Sequence, residues 1–86
     1  MDRLSIEGPV YNFLESHGLT QRELAGQIGM SHVTVSMVVS GRRRVPNRLV
    51  RHWEKLGISP VTIHQWLEDH RALMGKRQAV AERRAA

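Results

Sequence analysis

No cysteine occurs among the 86 residues of this chain. That excludes a disulfide framework and any thiolate metal site. Long apolar runs are missing too. None approaches the ~20 residues a helix needs to cross a bilayer, and no secretory signal is visible at the start. The expectation is a cytoplasmic chain with no membrane partner. No segment alternates convincingly with period two, so no strands are expected. There is no phosphate-cradling glycine loop. The five histidines do not assemble a metal site. His64 and Glu68 stand four apart, His17, His52 and His70 are scattered, and no carboxylate pair accompanies a nucleophile. No metal, no cofactor and no enzymatic activity are expected. No internal repeat is found. Acidic residues are in deficit, eight against thirteen Lys plus Arg, for a net charge of +5. Such a balance suits a polyanionic partner. The length allows one domain, with a modest core of a size that dimerisation often supports.

What is present is concentrated between Thr20 and Arg44, TQRELAGQIGMSHVTVSMVVSGRRR. Thr20 and Glu23 have the spacing of a capping box, in which hydroxyl and carboxylate each satisfy the other residue's amide. Leu24, Ala25 and Ile28 then make a helical apolar stripe. Gly29 stops the helix, as expected where a residue just past the end needs positive φ. Met30 reads as a buried plug for the turn, and Ser31 as the N-cap of a second helix over about His32 to Val39. Val35 and Val38 face inward, and Ser40-Gly41 ends the helix. Arg42, Arg43, Arg44, Arg48 and Arg51 follow, five arginines within ten residues, which is hard to justify as a solvated face alone.

Counted from Gln21, Ala25 falls where two steeply crossed helices come closest, and Leu24, Ile28, Met30, Val35 and Val38 fall at inward positions. With "LTQRELA", then Gly29-x-Ser31, then Ser40-Gly41 closing the second helix, this register resembles the helix-turn-helix of phage-repressor-like regulators, the XRE family with its small controller proteins. The resemblance covers about residues 9–74, with the motif at 20–41. It implies a homodimer on an inverted-repeat operator of double-stranded DNA, with RNA polymerase as a further possible partner. It puts His32, Val33, Thr34, Ser36 and Met37 at base edges in the major groove. Val33 and Met37 would suit thymine methyls and His32 a purine N7. Gln21, Ser31, Arg42, Arg43, Arg44 and Arg48 are expected on phosphates. The start of the motif's first helix also favours an anion beside Gln21.

The rest reads as support for that unit. Residues 1–7 are a short lead expected to be mobile, 8–74 the DNA-binding domain, and 75–86 a basic tail that either extends the last helix or stays disordered. Gly8-Pro9 opens a first helix, with Val10, Phe13 and Leu14 on one stripe, His17-Gly18 at its end and Leu19 tucked behind. Val45-Pro46 opens a fourth helix carrying Leu49, Val50, Trp53 and Leu56, closed by Gly57. Ser59-Pro60 opens a fifth carrying Ile63, Trp66, Leu67 and either Leu73 or Met74. The fold expected is all-α, a compact five-helix domain. Trp66 is either core or interface. The surface assigned to dimerisation is Ile63, Trp66, Leu67 and His70, because the resemblance implies an apolar strip on the last helix as the dimer surface, and aromatic residues are also enriched in interface cores. The function expected is a sequence-specific transcriptional regulator, repressor and/or activator, of a kind that often serves mobile elements. The alternative is a protein-binding module such as an antitoxin or antiactivator.

Overall fold

A computed structural model describes residues 8–85 of the chain, with side chains as far as residue 79; the lead 1–7 lies outside the described residues. Five helices follow in order: α1 (Pro9–His17), α2 (Gln21–Ile28), α3 (His32–Val39), α4 (Asn47–Lys55) and α5 (Pro60–Ala85). No strand occurs among the described residues. The fold is all-α, as the patterning predicts.

The helices start and stop where local chemistry directs. Pro9 sits in the first turn of α1, where its missing N–H has no partner to lose. The capping box of α2 is formed: the Thr20 amide donates to Glu23 Oε1 at 2.8 Å, and the Glu23 amide donates to Thr20 Oγ1 at 3.1 Å. Ser31 caps α3 by accepting from the Thr34 amide at 3.2 Å, and Ser59 caps α5 by accepting from the Thr62 amide at 3.2 Å. Each such cap contributes about 1 kcal/mol.

The core lies between α1, α2, α3, α4 and the first half of α5. Trp53, Phe13, Leu24, Leu49, Val10 and Val35 are its largest fully buried apolar side chains. Ala25 is buried as well, consistent with a small residue between α2 and α3. Three aromatic rings pack at its end. Phe13 meets Trp53 edge-on at 5.7 Å between centroids, and Trp53 meets Trp66 edge-on at 4.9 Å. Each contact of this kind is worth about 0.5–1.5 kcal/mol beyond the area it buries.

Two expectations from the sequence need correction. Leu56, assigned to the inward stripe of α4, is 48% exposed. The helix ends at Lys55, and beyond the turn it is Ile58 that packs against the core. Met30 is only half-buried, not a sealed plug. Of the two readings of the basic tail, the structure takes the first: α5 continues as one helix through Gly75 to Ala85. Its 26 residues span about 39 Å at ~1.5 Å per residue. Leu73 is its buried residue near that transition, and Met74 is half-buried.

Candidate nucleic-acid interface

α3 has two faces set by helical periodicity. Val35, Val38 and Val39 are buried, while His32, Val33, Ser36 and Met37 are exposed. Val33 is 56% and Met37 38% accessible. Two apolar side chains thus stand in water on a short helix that carries no Lys, Arg, Asp or Glu. Thr34 lies between the faces, half-buried, and its hydroxyl shares a 2.9 Å hydrogen bond with that of Ser31. Ser31 is therefore committed both to the helix start and to Thr34.

The end of α3 holds the arginine run by its backbone. Gly41 has φ of 82°, a conformation in which a side chain would be strained. The reversal lets the Gly41 amide donate to the Val38 carbonyl at 3.1 Å and the Arg42 amide to the Met37 carbonyl at 2.8 Å. This is the paired hydrogen-bond pattern of a Schellman cap. The Arg43 amide also donates to Met37, at 3.3 Å. The side chains of Arg42, Arg43 and Arg44 are exposed. None of the three guanidinium groups has a hydrogen bond or ion pair among the described residues, where the one salt bridge is Arg71–Glu68. An open groove of about 530 Å³ lies between α3 and this segment, lined by Met30, Thr34, Val38, Arg43, Arg44 and Asn47 among others.

Arg48 differs from the other three. Its Nη1 donates to the Gly29 carbonyl at 2.6 Å, so it ties α4 to the turn between α2 and α3. Gln21 is half-buried in the first turn of α2. Arg51 is exposed on α4.

The four positions assigned to a dimer surface do not form one patch. Ile63 is 5% and His70 2% accessible; both face the protomer's own interior, so neither is available to a partner. Trp66 and Leu67 are half-buried and pack against the core. Only their outer edges remain. His70 has a partner that sequence reading missed, the Arg43 carbonyl at 2.7 Å. A polar residue on the apolar stripe of Ile63, Trp66 and Leu73 is the signal for burial, but nothing in the chain names the loop it reaches.

Among the described residues no group of His, Cys, Asp and Glu could hold a metal ion, and no helix is long and apolar enough to cross a membrane. Residues 10–50, from α1 into α4, match the family model described as Helix-turn-helix. No curated protein and no solved structure matches the chain. The matched segment holds the capped α2, the Gly29 turn, the exposed face of α3 and the arginine run, and the match supports an XRE-like helix-turn-helix regulator that binds DNA.

Proposed function

We propose that the chain is a sequence-specific regulator that binds an inverted-repeat operator as a homodimer, with α3 in the major groove. His32, Val33, Ser36 and Met37 read base edges, and Thr34 does so from the groove side. Arg42, Arg43 and Arg44 clamp phosphates, aided by Gln21 and by what donor capacity Ser31 and Arg48 retain. The observation that carries this reading is the adjacency of three unpartnered arginines to a helix face that exposes Val33 and Met37. Guanidinium on phosphate supplies affinity without sequence information, and apolar contact with thymine methyls supplies sequence information without charge. One half-site read by one short helix gives little specificity. Two chains related by a two-fold axis place two recognition helices about 34 Å apart, one turn of DNA. The outer edges of Trp66 and Leu67 are the proposed contact between protomers. Whether the bound state represses or activates follows from where the operator stands relative to a promoter and its polymerase.

The test is binding of the purified chain to duplexes selected from random DNA, over a series of salt concentrations. Six phosphate contacts per dimer give a log–log slope of about −5. Sedimentation equilibrium of the complex should give two chains per selected duplex. Affinity independent of salt, or no binding at low salt, overturns the DNA clamp. One chain per duplex at saturation overturns the dimer.

A further inference from the structure

His70 is the one fully buried polar side chain of the described core. Its Nε2 lies 2.7 Å from the carbonyl oxygen of Arg43. A carbonyl can only accept, so the ring donates Nε2–H and the tautomer is set by that bond. Nδ1 is buried and has no partner among the described residues. One turn along α5, Leu73 fills the space over Gly41, where an added Cβ would stand 2.7 Å from Leu73 Cγ. From the other side, the Met37 carbonyl takes the Arg42 and Arg43 amides. The backbone of the arginine run is therefore gripped between the last turn of α3 and the middle of α5, while its guanidinium groups stay free in solvent.

From this geometry we infer that His70 is a positioning residue for DNA binding: it fixes the Arg42–Arg44 backbone in the free protein so that the guanidinium groups are already aimed when a duplex arrives. The inference rests on the proposed phosphate role of those arginines. A leucine at this place would satisfy packing alone, since burying a polar ring stabilises nothing unless its hydrogen bond is made. The ring sits where a bond to the loop is the gain. Loops held in their bound conformation lose less freedom on association, and that difference appears as affinity. His70 thereby acts on DNA without touching it.

The experiment is a double-mutant cycle on binding to a random-sequence DNA duplex at low salt, with melting temperature measured for each variant. His70→Leu removes the donor and keeps apolar bulk; His70→Gln keeps an N–H at about the reach of Nε2. Expected is a loss of about tenfold for His70→Leu, recovery to within about twofold for His70→Gln, and no further loss when His70→Leu is added to a chain already carrying Arg42→Ala, Arg43→Ala and Arg44→Ala. Additive losses, or a glutamine variant as weak as the leucine variant, overturn the positioning role. If the leucine variant does not fold, backbone ¹⁵N relaxation of the wild type decides. Order parameters near ~0.85 at Arg43 and Arg44 support the inference, and values below ~0.6 overturn it. Absence of DNA binding by the wild type overturns the regulator reading instead, and relaxation then still reports whether the loop is held.

Discussion

α3 and the run that follows it are adjacent in the chain and opposite in character. From His32 to Val39 there is no Lys, Arg, Asp or Glu; from Arg42 to Arg44 there is nothing else but arginine. The helix shows Val33 and Met37 to solvent, and the loop shows three guanidinium groups with no partner among the described residues. An uncharged helix cannot hold a polyanion, and arginines on phosphates cannot tell one sequence from another. On the proposed reading, affinity and discrimination fall to separate, neighbouring segments, which makes them separable by mutation.

The largest effect should come from the loop. Replacing Arg42, Arg43 and Arg44 together by alanine removes six cations from the proposed dimer. Binding to operator and to random DNA should fall in parallel by about 10³-fold near physiological salt, and the log–log slope should flatten by about 5. The melting temperature should hardly change, because none of these side chains bonds to another described residue. Loss of operator binding alone, with random binding spared, would break the division of labour.

The junction between the segments comes next. Gly41→Ala forces a side chain onto φ of 82° and sets its Cβ 2.7 Å from Leu73 Cγ. The backbone cost is about 1–2 kcal/mol, and crowding against Leu73 adds about 1–3 kcal/mol unless α5 yields. Denaturant titration should show a loss of about 2–5 kcal/mol, and both kinds of DNA binding should weaken as the loop moves. An alanine variant as stable as the wild type would mean that the contact with Leu73 does not hold the loop.

Much of this was legible in the chain. The Thr20 capping box, the Ser31 cap, the Gly29 stop and the apolar stripes are local signals, each read from residues within a turn or two of one another. They gave the helix order and the exposed face of α3. What was not legible is long-range. Arg48 and Arg44 look alike in sequence, yet one spends Nη1 on Gly29, nineteen positions away. His70 shares a stripe with Ile63 and Trp66, which suggests a surface or a core equally well; its partner lies 27 positions away. The tail beyond Met74 has good helix formers and few apolar anchors, so periodicity could not choose between coil and the helix that continues to Ala85.

The exposed face of α3 should give intermediate effects of a different kind. Met37→Ala and Val33→Ala should each lower discrimination between operator and random DNA by about 1–3 kcal/mol where the side chain meets a base, with the salt slope unchanged. Substituting uracil for single thymines in the selected duplex removes one methyl at a time. The thymine touched by Met37 should matter to the wild type and not to Met37→Ala. Equal losses in both proteins at every thymine would reject the methyl contact, and a changed slope would show that the helix also carries phosphate affinity.

The smallest effect sharpens the comparison most, because it sets two arginines of the same stretch against each other. Arg48 stands four positions after Arg44, but its Nη1 donates to the Gly29 carbonyl at 2.6 Å. That oxygen belongs to the turn between α2 and α3, so the bond fastens α4 to the turn that aims α3. A charged donor to a neutral carbonyl is worth more than a neutral pair, yet the residue is exposed and solvent competes for it, which leaves about 1 kcal/mol. Arg48→Ala should therefore lower stability by about that amount and reduce the salt slope by less than one per protomer. Arg44→Ala should do the reverse, leaving stability alone and taking close to one unit of slope from each protomer. Arg48→Lys keeps the charge without the planar fork. If Arg48 serves the turn, lysine should recover only part of the lost stability; if it serves phosphate, lysine should restore the slope in full. A full slope unit lost from Arg48→Ala with unchanged stability would move Arg48 into the clamp and erase the distinction between the two arginines.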